Sequence, residues 1–176
     1  VRCLALDLST HAGWVAFREP GDLIGQGTWL LPDGRRSGPR FVAFHEWLGR
    51  RVIEYRPDIL AFEEPIRGIP GRQMGATTNM HTQKLLQGLA TIAELVAAEH
   101  DIKRCIEVPT STAKKKLAGH GRADKHQMKA AAVNAGVIVG DEHQADALAV
   151  AMCAYEHCGV FVRGYDGPLL ASASRW

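Results

Sequence analysis

Three apolar runs open the chain, residues 2–8, 12–17 and 23–31, and the turns between them are too short for a crossover. Strands joined so tightly must run antiparallel, so the chain begins as a meander. Ser9 to Ala12 reads as the first turn, and Pro32-Asp33-Gly34 closes the third strand. Phe41, Phe44, Leu48, Val52 and Tyr55 then recur at steps of 3, 4, 4 and 3, one face of an amphipathic helix that stops near Pro57. Residues 58–63 carry Ile59-Leu60-Ala61-Phe62, a fourth, buried strand. A long helix is expected over about 77–100 with Leu85, Leu89, Ile92 and Val96 inward, followed by a fifth strand at 103–108. Two short helices flank Gly119-His120-Gly121, and a last helix covers about 142–157 with Ala145, Leu148, Ala149 and Met152 on one face. This order predicts an α/β domain, a mixed five-stranded sheet with its first three strands antiparallel and helices packed on both faces.

The chain has 176 residues, enough for one domain with a full core. We expect that domain at residues 1–159, with 160–176 as a tail of little pattern. No apolar run approaches the roughly 18 residues needed to cross a bilayer, so no membrane partner is expected. The first run holds Arg2 and Asp7 and lacks a cleavage site, which argues against a signal peptide. Cys3, Cys105, Cys153 and Cys158 form no Cys-x-x-Cys pair, which removes the usual structural zinc pattern. Cys3 and Cys105 lie in apolar runs and are expected to be buried. A reducing, cytoplasmic setting follows as the default.

Net charge is only +2, but it is unevenly spread. Residues 103–129 hold Lys103, Arg104, Lys114, Lys115, Lys116, Arg122, Lys125 and Lys129 against Glu107 and Asp124. Residues 35–56 hold six arginines against Glu46 and Glu54. Such polarity suits a phosphate backbone, although a solvated helix face is the plainer reading of any one run.

Acids stand at three element ends. Asp7 ends the first strand, Glu63 and Glu64 end the fourth, and His143 with Asp146 lie in the first turns of the last helix. If strands one and four are parallel neighbours, their carboxyl ends meet at one edge, where ligands of α/β sheets bind. Residues 143 and 146, three apart, share a helix face. Carboxylates gathered in one cleft repel unless a cation lies between them, and an oxygen-rich site of this kind suits Mg²⁺ or Mn²⁺. Each piece has a bland counterpart. A strand-end Asp is commonly a turn residue or cap, Glu63-Glu64 before Pro65 makes a solvated strand end, and Asp141 and Glu142 suit a helix N-terminus on dipole grounds. Asp146 is harder to dismiss, because it sits between Ala145 and Ala147 in an apolar helix, where an unpaired acid is costly.

Taken in order, these motifs resemble the RuvC-type Holliday junction resolvases of the RNase H-like superfamily. The matching stretches are Asp7-Leu8-Ser9, Ala61-Phe62-Glu63-Glu64 and His143-Gln144-Ala145-Asp146-Ala147-Leu148-Ala149. Between them, residues 114–125, Lys114 through Lys125 with Gly119, Gly121 and Ala123, look like the family's lysine-glycine stretch. Gln87-Gly88 echoes its Gln- and Gly-bearing helix, and the likeness spans residues 2–155.

The resemblance implies an RNase H-like fold and a metal-dependent endodeoxyribonuclease that resolves four-way junctions or other branched DNA. Hydrolysis would use two metal ions, Mg²⁺ or Mn²⁺, and leave 5′ phosphates. Asp7, Glu63, His143 and Asp146 would be the metal-binding catalytic set, with Glu64 as the alternative to Glu63. Asp7 would bridge both ions; His143 would be a ligand or would position the water. Lys114 and Lys125 match the family's two lysines, which would hold the scissile phosphate or screen its charge. Lys115, Lys116 and Arg122 would grip the flanking backbone or remain solvated. The family's aromatic wedge, three residues after the catalytic Glu, is here Ile66. Ile66 or Met74 would serve as an apolar wedge instead, with Arg67 and Arg72 on nearby phosphates. A homodimer is expected, because a near two-fold junction needs two opposed cuts. Leu86 and Leu95, off the main stripe of the long helix, mark its candidate interface. The alternatives are an RNase H-like nuclease acting on RNA or other DNA structures, and a branched-DNA binding protein with little catalysis. An actin-like ATPase also opens on a strand ending in Asp, but this chain is too short for its two lobes.

Overall fold

Strand order decides where chemistry can sit on this sheet. The computed structural model describes residues 1–34, 36–65 and 80–160. Five strands, β1 (Cys3–Asp7), β2 (His11–Glu19), β3 (Asp22–Leu30), β4 (Ile59–Glu63) and β5 (Arg104–Val108), form one sheet in the order β3-β2-β1-β4-β5. The first three pair antiparallel, and β4 lies parallel to both β1 and β5. The carboxyl ends of β1, β4 and β5 therefore share one edge.

Two layers of helix cover the sheet. Helices α1 (Ser37–Tyr55) and α2 (Met80–Glu99) pack with Leu4, Leu6, Trp14, Leu60 and Phe62 on one face. Helices α3 (Thr110–Ala118), α4 (Lys125–Asn134) and α5 (Glu142–His157) pack with Cys3, Ala5, Val15, Phe17, Ile59 and Ala61 on the other. Each strand thus sorts its residues by alternation, large side chains mostly to α1 and α2, small ones to α5. Where α2 meets α1, a Cβ on Gly88 would overlap the ring of Phe41. Gly88 lets the two helices close.

Helix α1 starts four residues before Phe41, because Pro39 falls in its first turn, where no intrahelical N–H is required. Several expectations need correction. In α2 the inward stripe is Leu85, Leu89, Ala90, Ala93, Val96 and Ala97, and Ile92 is only partly buried. Met152 is likewise only partly buried on α5. Cys3 is buried, but Cys105 is exposed. Its run looked like a central strand, yet β5 is an edge strand with one side open. β2 begins at His11, inside the expected turn.

Candidate active site

The site starts from register. Ala5 pairs with Ala61 and Leu6 with Phe62, so Asp7 and Glu63 come side by side where β1 and β4 end, on the α5 face. Helix α5 can lie low over that face because both surfaces are small. Cys3, Ala5 and Ala61 face Ala145, Ala149 and their neighbours in one buried cluster. Gly13, paired with Asp7 across β1 and β2, continues the low approach at the sheet's end.

The first turn of α5 is fastened to β3. Asp141 caps the helix, accepting the Gln144 N–H at 2.9 Å, and its second oxygen accepts the Thr28 hydroxyl. Gln144 completes the lock, donating to Thr28 Oγ1 at 3.3 Å and accepting the Gly140 N–H at 2.9 Å. His143 and Asp146 are thereby held above the strand ends. His143 Nδ1 lies 2.8 Å from Asp7 Oδ2, and Asp7 itself is 6% exposed.

The electrostatics are those of crowded acids. Burial lifts the Glu63 carboxyl far above its usual range, the charge of Asp7 adds to this, and a hydrogen bond from Thr110 opposes it. The Asp7 carboxylate lies close enough to Glu63 to favour its protonated form. Asp146 is pushed up to about 6, first by burial and then by Asp7, with Lys114 and His143 pulling it down. The hydrogen bond to Asp7 raises His143. Of the two glutamates at the end of β4, Glu63 is the one brought to Asp7, whereas the Glu64 N–H donates to Val108 O at 2.8 Å.

The lysines divide. Lys114 is half-buried, with Nζ 3.2 Å from the Ala123 carbonyl and its charge felt by Asp146. Lys125 is exposed and paired with Glu142 at 2.7 Å. Lys116 is 13% exposed and paired with Glu156 of α5 at 2.9 Å, which makes it part of the α3–α5 packing. Lys115 and Arg122 are exposed. Ile66, Arg67, Arg72 and Met74 lie outside the described residues.

Sequence reasoning missed Thr110 and His11. Thr110 opens α3 immediately after the strand that ends beside β4. The Pro109-Thr110 step at a strand's carboxyl end was the available signal. His11 was read as a turn residue, yet its ring stacks on His143 with centroids 5.6 Å apart.

Among the described residues, no three His, Cys, Asp or Glu side chains are already set around one metal position. The chemistry of the set fits a divalent cation all the same. Burial and the nearby charge of Asp7 raise Glu63 and Asp146, and a cation among the three carboxylates would offset both effects.

No family model matches the chain. Two curated relatives do. It is 31% identical over 142 residues to the crossover junction endodeoxyribonuclease RuvC of Alkaliphilus oremlandii, covering 79% of this chain and 80% of the relative. It is 27% identical over 160 residues to that of Chloroflexus aggregans, covering 87% and 92%. Among solved structures, Thermus thermophilus RuvC superposes with a TM-score of 0.68 at 20% identity, over 91% of this chain and 98% of that one. The same protein in complex with its Holliday junction substrate gives 0.69 at 20% identity, over 90% and 96%. The yeast mitochondrial Holliday junction resolvase Ydc2 gives 0.59 at 12% identity, over 89% and 80%. These structures share the fold.

Proposed function

The chain belongs to the RuvC family of crossover junction endodeoxyribonucleases, and we infer that it is a metal-dependent nuclease that resolves Holliday junctions, with Asp7, Glu63, His143 and Asp146 as its catalytic set. Its fold is the RNase H-like one. The observation that carries the site is the convergence of Asp7, Glu63 and Asp146 at the carboxyl edge of β1 and β4, with Glu63 and Asp146 held above the ordinary carboxylate range. On this reading residues 1–159 are the nuclease domain and 160–176 a tail. Its bacterial RuvC relatives favour a cytoplasmic working place.

Each side chain has a task. Asp7, most enclosed and in contact with both Glu63 and His143, would be the central ligand of the divalent ions. Glu63 and Asp146, on either side of it, would complete their hold. With Nδ1–H donated to Asp7, the neutral His143 ring would present its Nε2 lone pair, either to bind an ion or to orient and deprotonate the attacking water. Lys114 brings a half-buried positive charge beside Asp146 for the scissile phosphate. Lys125 is held by Glu142 at 2.7 Å and would reach a second phosphate only where that pair is broken. The ions, Mg²⁺ or Mn²⁺, would supply an activated water and neutralise the leaving 3′ oxygen. Water then adds to phosphorus, the P–O3′ bond breaks, and the 5′ phosphate remains on the other product. Lys115, Arg122, Ile66, Arg67, Arg72 and Met74 are proposed, on their sequence alone, as DNA contacts around this centre.

The test is cleavage of a synthetic four-way junction beside its matching linear duplex, with Mg²⁺, with Mn²⁺ and with excess chelator. Paired cuts confined to the junction are expected, with Mn²⁺ at least as effective because an imidazole joins the site. Cutting that survives chelation, or equal cutting of duplex, would overturn the reading.

A further inference from the structure

His11 opens β2, and on that strand residues 11, 13, 15 and 17 turn toward α5. Val15 and Phe17 fill the core, and Gly13 makes room for the α5 main chain. His11 does neither, for it is exposed. Its ring lies against that of His143, with planes 11° from parallel and centroids 5.6 Å apart, the geometry of an offset stack. The residue is harnessed where it stands. Ser9 Oγ accepts its N–H at 3.1 Å and donates to its carbonyl at 2.9 Å. Thr10 Oγ1 lies within hydrogen-bonding distance of its Nδ1, at 3.3 Å. A strand-end residue tied this firmly, yet burying nothing of its own, has the neighbouring ring as its object.

The ring of His143 has a particular need for such a neighbour. Rotation about its terminal torsion is broad and roughly two-fold. The contact with Asp7 settles which nitrogen faces the carboxylate, but one hydrogen bond leaves the ring free to rock about it. A flat face packed on one side removes that freedom.

We propose that His11 is a positioning residue for the reaction, whose ring backs the His143 imidazole and, together with Asp7, fixes where Nε2 points. The proposal rests on His143 being part of the catalytic set. His11 acts through His143 and needs no nitrogen of its own, which separates it from a phosphate contact.

The experiment compares wild type, His11→Ala and His11→Phe. Junction cleavage gives kcat and KM, nuclear magnetic resonance of the metal-free protein gives the His143 ring-proton shifts, and a melting curve reports folding. In His11→Ala, kcat should fall about tenfold, for a displacement of Nε2 smaller than the roughly 1 Å that costs about 100-fold, with KM unchanged and the melting midpoint close to wild type. The His143 ring protons should move as the neighbouring ring current disappears. His11→Phe offers a flat ring without nitrogens and should restore most of the rate and of the shift. A phenyl variant as slow as the alanine one, a raised KM, or a lowered melting midpoint would overturn the proposal in favour of substrate contact or a structural role. Unmoved His143 shifts in His11→Ala would overturn it as well. A wild-type protein that cuts no junction would refute the nuclease reading instead, and the shifts, taken without DNA or metal, would still decide whether His11 orders that ring.

Discussion

Gly13 and the main chain of His143 occupy a space that no side chain can share: a Cβ on Gly13 would overlap the His143 carbonyl. Gly13 is also the register partner of Asp7. The residue opposite Asp7 thus sets the height of the helix that carries His143 and Asp146. Gly13→Ala must push the α5 N-terminus outward, and overpacking of this kind costs roughly 1–3 kcal/mol. We expect a melting point lower by about 2–4 °C per kcal/mol. We also expect a cleavage rate down by about 100-fold, since a displacement near 1 Å suffices for that. A variant with normal cleavage would show that α5 height is not critical.

Asp7→Asn should separate catalysis from stability. It removes the charge that raises both Glu63 and Asp146. Loss of a residue that only orients a metal ligand costs about 10- to 100-fold, and loss of a direct ligand, the role proposed for Asp7, should cost more, while junction binding, carried mainly by basic groups, stays largely intact. The metal-free variant should melt higher than wild type at neutral pH, because one like charge has left the cluster. Near-normal cutting would remove Asp7 from the site.

The same repulsion predicts a pH dependence. Glu63 and Asp146 are raised chiefly by burial, and His143 chiefly by its bond to Asp7. Each group keeps a proton in the folded protein where the unfolded chain has lost it, so folding takes up protons and stability falls as pH rises. For Asp146 the loss runs from its ordinary 3.8 to about 6, and Glu63 and His143 carry it higher. Glu142, lowered to about 2 by Lys125, acts oppositely, losing its contribution as pH falls below 4.5. The metal-free melting point should therefore decline from about pH 5 to pH 8. Mn²⁺ should raise it most at the upper end, where the acids are ionised. A metal-free protein more stable at the alkaline end would contradict this.

Much of this was legible in sequence because it depends on period and order. Short turns make β1, β2 and β3 antiparallel, and acids at the ends of two apolar runs mark the edge where β1 and β4 finish side by side. Features that depend on neighbours across the fold were not legible. Cys105 looks buried in any window of its own strand, and only the strand order exposes it. Lys116 is indistinguishable from Lys115 in a run of three lysines until Glu156 arrives from α5. His11 was lost to a boundary error of one residue, which turned a strand position facing His143 into a turn.

The homodimer expectation now narrows to one residue. Leu86 packs against the core, whereas Leu95 is 49% exposed on α2. If α2 forms a two-fold interface, Leu95→Lys should put like charges across it. Sedimentation at micromolar concentration should show monomers. The product pattern should change from paired cuts to single nicks. A wild-type monomer that makes paired cuts would dismiss the interface.

Lys125 and Glu142 give the last test. Their ion pair is exposed, so it adds little to stability. If Lys125 serves DNA as proposed, the Glu142 carboxylate both occupies the ammonium and adds a negative charge beside the incoming phosphate. Glu142→Gln keeps the side chain's shape and releases Lys125. Junction affinity should rise. The plot of log affinity against log salt should steepen by about 0.9, the slope of one additional phosphate contact, and the melting midpoint should hold. Lys125→Ala should leave that slope close to wild type, since the lysine is already engaged, and the double variant should lose what Glu142→Gln gained. An unchanged slope in Glu142→Gln would mean that Lys125 does not reach the backbone and that Lys114 alone serves the scissile phosphate.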